Sequence, residues 1–167
     1  MKKDFLIPIL VLSLICLVVS TALAGLYSFI AGQAGEAGDP RKAAIPHAED
    51  FVSLEMEGLP NTITSVYGTT NNVGFVFFIN TTGFGGEMRI LCAIDPDGKI
   101  LRTTTLSHSE TPIFALPVFA QEPLYVGNDR SLTGINAISG STMTFEAYRN
   151  AILDAFAAFD IVREVQF

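Results

Sequence analysis

The sequence predicts an α+β fold: one N-terminal transmembrane helix followed by a mostly antiparallel sheet packed with helices. Three observations carry this expectation. Residues Phe5 to Ile30 contain no charged side chain. Residues Glu87 to Leu106 form two strand-like runs around a turn sequence. Residues Thr144 to Phe159 repeat apolar side chains at helical spacing.

The uncharged run follows Lys2 and Lys3 and is 26 residues long. At about 1.5 Å per residue a helix of that length reaches roughly 39 Å, more than the bilayer core requires. Pro8 falls in its first turns, where a proline costs least. Ala22-Leu23-Ala24 also fits a signal-peptidase pattern. The apolar run continues beyond it through Leu26, Tyr27, Phe29 and Ile30, which favours an uncleaved anchor. Lys2 and Lys3 hold the N-terminus in the cytoplasm and send the C-terminal domain across the membrane; Arg41 and Lys42 weaken that asymmetry without reversing it. The expected organisation is an anchor over 1–30, a linker over 31–45, rich in glycine and small residues, and a domain over 46–167.

Within the domain, Thr64 to Gly68 is a short, weak strand candidate, and Val73 to Ile79 an apolar, β-rich one. Glu87 to Ile94 and Lys99 to Leu106 flank Asp95-Pro96-Asp97-Gly98. Proline presets φ there, the aspartates bond locally, and glycine accepts positive φ, so the two strands form an antiparallel hairpin. Pro112 to Asn128 carries three prolines and no clear period, which reads as a functional loop. From about Thr144 to Phe159, the residues Tyr148, Ala151, Ile152, Ala155, Phe156 and Phe159 share one helix face. Ile161 to Phe167 alternates and suggests a last strand.

Composition narrows the function classes. Beyond Asp4 the chain has 8 basic and 16 acidic residues. That balance speaks against nucleic acid or anionic lipid as a partner of the domain. Cys16 and Cys92 lie in incompatible settings for a disulfide and read as packing residues. His47 and His108 have no ligand partners at metal spacing. Asp95-Pro96-Asp97-Gly98 begins like a calcium loop, but its twelfth position is Leu106. Gly83-Phe84-Gly85-Gly86 has Met88 where a dinucleotide fingerprint needs glycine, and reads as a tight turn. No residue set proposes an independent catalyst.

One stretch stands apart. Ser139-Gly140-Ser141-Thr142-Met143-Thr144 crowds four hydroxyls and a glycine immediately before the helix. Free backbone N–H groups and the helix dipole favour an anion there, such as a phosphate. An ordinary N-cap, for which Ser and Thr are common, is the other reading of the same residues.

That hexapeptide resembles the [Ser/Thr]-Gly-Ala-[Ser/Thr]-x-[Ser/Thr] signature of the FMN-binding domain family. Gly83-Phe84-Gly85-Gly86-Glu87 with Ile94-Asp95-Pro96-Asp97-Gly98-Lys99-Ile100 is similar to the family's GYGG and GIDPDGKI blocks. Leu106-Ser107-His108-Ser109-Glu110-Thr111-Pro112 is similar to its LxHxETPGLG segment. Asn136 and Ser141 replace an aspartate and an alanine of the family pattern, and Ile113-Phe114-Ala115 replaces Gly-Leu-Gly, which puts a bulkier apolar wall there. The family includes components of Rnf and sodium-pumping NADH:quinone oxidoreductase complexes. The resemblance implies FMN held by a phosphoester on Thr144, the last hydroxyl of the signature, attached by an ApbE-type flavin transferase. It implies that Ser139, Gly140, Ser141 and Thr142 shape the phosphate site, with Glu110 and Thr111 near the flavin. It further implies an electron-relay subunit on the extracytoplasmic face, with other membrane subunits of an Rnf-type complex as partners and the bilayer around residues 5–30. A stand-alone flavinylated carrier and a flavin-free assembly module are the alternatives.

Overall fold

The computed structural model describes residues 11–25 and 38–166. The chain divides into two units, Met1–Gly38 and Asp39–Phe167. In the first, residues 11–25 form a helix (α1) whose side chains are all exposed. Among the described residues no helix is long and apolar enough to cross a membrane. The ends of the expected 5–30 span lie outside the described residues.

The second unit is an α+β domain, and it begins with a short helix, α2 (Pro40–Ala44), capped by the Asp39 side chain on Arg41 N. Five strands follow: β1 (Phe51–Leu54), β2 (Ile63–Thr69), β3 (Phe75–Thr82), β4 (Glu87–Ile94) and β5 (Ile100–His108). They form one antiparallel sheet in sequence order. The β4–β5 hairpin turns on Asp95-Pro96-Asp97-Gly98 as expected. Asp95 Oδ1 accepts from Asp97 N and Lys99 N at 3.0 and 2.8 Å, and Gly98 takes φ +79°. Strand β1 was not anticipated, because Phe51-Val52-Ser53-Leu54 is short and half exposed at the sheet edge.

Side chains alternate across the sheet. Val66, Phe77 and Cys92 stand opposite one another in register on β2, β3 and β4, and belong to the larger apolar cluster. Val76, Leu91 and Ala93 point the other way and pack with Ala44 and Ile45 at the end of α2. Strands β3 and β4 are therefore buried on both faces, which explains their nearly continuous apolar runs. Burial also pushes the Cys92 thiol well above its usual range, in keeping with a packing residue.

Two expectations fail beyond β5. The stretch Pro112 to Asn128 is not an irregular loop; it holds helices α3 (Pro112–Phe119) and α4 (Glu122–Tyr125). Pro112 and Pro123 occupy first-turn positions, where a missing N–H breaks no helical bond, so these prolines start helices here. Nor are residues 161–166 a strand: the last helix, α5 (Thr142–Gln166), continues through them, and Phe167 lies outside the described residues. Val162 is fully buried three residues after Phe159, so the helical stripe outlasts the local alternation. The predicted stripe of α5, from Tyr148 to Phe159, is buried throughout and lies against the sheet.

A polar knot joins β5, α4 and α5. Glu122 Oε1 accepts from Thr105 N, Thr105 Oγ1 and Tyr148 Oη at 2.6, 2.7 and 3.2 Å. Tyr148 Oη lies 2.8 Å from Thr103 Oγ1. Since Tyr148 donates to Glu122, Thr103 supplies the proton of that second bond. The neighbouring Tyr125 is equally buried, yet its hydroxyl has no partner among the described residues.

The two tyrosines should respond differently to loss of the hydroxyl. Tyr148→Phe strands buried partners and should cost about 1–3 kcal/mol in urea denaturation, whereas Tyr125→Phe should be neutral or slightly stabilising. Burial pushes the Tyr125 phenol up to about 12. Its unfolded value is about 10, so this contribution is whole below pH 10 and disappears as pH rises toward 12, a loss on the order of 2–3 kcal/mol. Denaturation series across that interval should be flatter for Tyr125→Phe, with part of the remaining slope coming from Tyr148 and Cys92, both raised in the same direction by burial.

Candidate functional site

The head of α5 is built by three segments far apart in sequence. Gly140 takes φ +84°, a left-handed conformation that glycine adopts freely, and turns the chain into the helix. Ser141 N donates to Ile138 O at 3.0 Å, and Ser141 O accepts the first helical bond from Phe145 N at 2.9 Å. Ser141 is therefore the N-cap residue. The N–H groups of Thr142, Met143 and Thr144 precede that first bond and have no acceptor within the helix. They give the helix head its affinity for negative charge.

Thr144 is only 1% exposed, and its hydroxyl donates to Glu110 Oε2 at 2.8 Å. Glu110 is itself 4% exposed and lies between β5 and α3. Its other oxygen, Oε1, accepts from Gly85 N at 2.9 Å. Gly85 belongs to the β3–β4 turn, closed by a bond from Gly83 N to Gly86 O at 2.9 Å. One carboxylate thus ties the turn, the β5–α3 junction and the helix head together.

The glycines of this turn are required by close approach. A Cβ on Gly83 would come within 2.2 Å of Glu110 Oε1. A Cβ on Gly85 would meet the Glu110 Cα at 2.9 Å, and the Ser109 carbonyl and Thr111 N at 3.1 Å. Backbone cannot yield there as a side-chain tip can.

A cavity of about 220 Å³ opens at this point, lined by Phe84, Phe114, Gly140, Ser141, Thr142, Met143 and Thr144. It has an anion-binding end and an apolar end. The N–H groups of the helix head supply the first. Phe84 and Phe114, in edge-to-face contact with centroids 6.2 Å apart, supply the second with Met143. Phe84 and Met143 are 62% and 64% exposed, and together on one cavity they form an apolar surface open to a ligand. The arrangement fits a molecule with a phosphate at one end and a flat apolar body at the other.

Of the residues expected at the site, Gly140, Ser141, Thr142 and Thr144 line the cavity, and Glu110 holds Thr144 from behind. Ser139 is exposed just before the helix head and is not a lining residue. Thr111 is exposed and caps α3 through its carbonyl, which accepts from Phe114 N and Ala115 N at 3.0 and 3.1 Å. Asn136 is exposed, with its amide on Gly134 O at 3.3 Å. Sequence reasoning reached Gly83–Gly86 as a turn but missed its part in the site. The signal was present in the phenylalanine: an aromatic residue at the tip of a glycine-rich turn gains nothing from the core.

Two similarities bear on these residues. The model of a family described as the FMN-binding domain matches residues 83–157, from the β3–β4 turn through most of α5. Over 95 residues the chain is 28% identical to the G subunit of the proton-translocating ferredoxin:NAD(+) oxidoreductase complex of Clostridium ljungdahlii, covering 50% of this chain and 51% of that protein. The chain therefore spans about half the length of the curated relative it matches.

The Thr144–Glu110 bond should be measurable as stability. Thr144→Ala leaves a buried carboxylate short of a donor and should cost about 1.5–3 kcal/mol by urea denaturation. Gly85→Ala should cost at least as much, since the turn must move from the β5–α3 backbone. The segment that the FMN-binding domain model matches holds the glycine-rich turn, Glu110 and the helix head in one arrangement.

Proposed function

We propose that this chain is a membrane-anchored flavoprotein electron-transfer subunit, with FMN joined through its phosphate to Thr144. The observation that carries the reading is a buried threonine at the head of α5, Thr144, lining a cavity that joins free helix N–H groups to apolar side chains. It lies within the segment matched by the FMN-binding domain model.

When bound, FMN supplies the redox chemistry, accepting and passing electrons at its ring. The chain's own residues bind and orient it. Thr144 is the point of attachment. The leading N–H groups of α5 neutralise the phosphate, with Ser139, Gly140, Ser141 and Thr142 shaping that end. Phe84, Phe114 and Met143 offer the ring apolar walls, and Ile113 extends the apolar surface beside Phe114. Glu110 and Thr111 form the junction behind the site. A phosphoester leaves the ring chemically unaltered and keeps the cofactor from diffusing away.

The partners follow from the similarity to a component of the clostridial complex. The proposed setting is an Rnf-type assembly, in which neighbouring membrane subunits deliver and collect the electrons. An ApbE-type flavin transferase would load the cofactor. Residues 5–30 would anchor the chain in the bilayer, with the stretch between that span and Asp39 as a tether and the domain outside the cytoplasm. A chain with one span has no pathway of its own for moving ions, so translocation belongs to the partners.

Intact mass tests the assignment. Full-length chain coexpressed with its flavin transferase should gain the mass of FMN less water, and Thr144→Ala should not. An unmodified, colourless wild-type product would instead identify a flavin-free assembly module. If the flavinylated chain purifies from detergent extracts without other membrane subunits, it is a stand-alone carrier. Recovery in the carbonate-washed membrane fraction is the expected result for the anchor.

A further inference from the structure

We propose that Glu110 selects Thr144, among the four hydroxyls of Ser139–Thr144, as the one that is esterified, and takes its proton as the bond forms. This inference rests on the covalent attachment proposed above. Ser139, Ser141, Thr142 and Thr144 are chemically similar alcohols within six residues, and two of them, Ser139 and Thr142, are more exposed than Thr144. Access alone would favour the wrong ones. Among the described residues, only Thr144 of the four is hydrogen-bonded to a carboxylate, at 2.8 Å.

The geometry suits a general base. Thr144 Oγ1 donates along the line the proton would travel, within the 2.6–3.2 Å range that proton transfer needs. The second carboxylate oxygen is held by Gly85 N at 2.9 Å, so the group cannot swing away. Gly83 and Gly85 leave the space it occupies, since a Cβ on either would collide with Glu110. Thr144 also lines the cavity, and Glu110 is not among its lining residues, which leaves the cavity to receive the phosphorus atom.

The step balances with a flavin dinucleotide as donor and the divalent cation of the transferase as its counterion. Thr144 Oγ1 attacks the phosphorus that carries the riboflavin end. The Oγ1–P bond forms, the P–O bond to the AMP half breaks, and AMP leaves with that electron pair. The threonine proton passes to Glu110 Oε2 and then to solvent. Nothing is oxidised or reduced. A positioned base of this kind is worth about 100-fold or more in rate.

The test is a time course of flavin incorporation into the purified full-length chain, with FAD, Mg²⁺ and the transferase, read by intact mass and by peptide mapping. Wild type should be modified on Thr144 alone. Glu110→Gln, which is isosteric, should unfold at a urea midpoint close to that of wild type yet incorporate flavin about 100-fold more slowly. What it does incorporate should spread to Thr142 or Ser139, and Glu110→Asp should recover part of the rate and the Thr144 selectivity. Incorporation by Glu110→Gln at the wild-type rate and on Thr144 alone would overturn the role of Glu110 while leaving the flavin assignment intact. Slow incorporation that Glu110→Asp does not improve and that stays on Thr144 would overturn it equally. A wild-type chain that is never modified would remove the attachment itself.

Discussion

The site depends on one buried carboxylate. Glu110 accepts from the Gly85 amide through one oxygen and from the Thr144 hydroxyl through the other. A charge this deeply buried is tolerated only when its oxygens are satisfied, and these two donors come from segments 25 and 34 residues away. The head of α5 contributes again, because the positive end of its dipole faces the carboxylate. The bond therefore costs little where it stands and would be expensive to leave half made. It fixes the glycine-rich turn, the start of α3 and the head of α5 to one another, and the cavity is the space those three segments leave.

The sheet makes that convergence possible. Strands β3 and β4 are buried on both faces, so the turn between them projects from the most rigid part of the domain. α5 lies across the same strands, with Phe145, Tyr148, Ile152, Phe156 and Phe159 in the larger cluster. Its first turn is thereby carried to the end of the sheet where the β3–β4 turn emerges. The Glu122 knot to Thr105 and Tyr148 secures α5 to β5 one helical turn further in. The cavity end of the domain is thus held by hydrogen-bonded polar residues, while the long apolar stripe supplies most of the adhesion.

Exposure is equally informative. Phe84, Ile113, Leu116 and Met143 are all more than 60% exposed, on the turn, on α3 and on the helix head. Such residues contribute nothing to the core of this unit. Two of them, Phe84 and Met143, line the cavity. Their exposure makes sense once a flat apolar group is bound against them, and such a group would lie near the surface.

How much of this was legible beforehand differs from element to element. The β4–β5 hairpin was, because Asp95-Pro96-Asp97-Gly98 encodes its own turn. The buried face of α5 was, because a period of 3.6 needs no partner to be seen. Helices α3 and α4 were not, because three prolines in twelve residues resemble loop punctuation until Pro112 and Pro123 are known to occupy first turns, with Pro117 inside α3. The continuation of α5 past Phe159 was hidden by a short alternation that the packing of Val162 overrules.

The sequence by itself determined the class of fold, the hairpin, the helix face, the hydroxyl-rich helix head and the motifs shared with the FMN-binding domain family. All of these depend on local spacing, or on blocks that stay recognisable in order. Only the tertiary structure decided that Glu110 sits on the Thr144 hydroxyl, that Gly83 and Gly85 leave room for it, and that Phe84 faces the same cavity. The first of those relations joins residues 25 and 34 positions apart through hydrogen bonds of 2.9 and 2.8 Å. Sequence spacing carries no record of such distances, because the folding of the sheet and the docking of α5 set them.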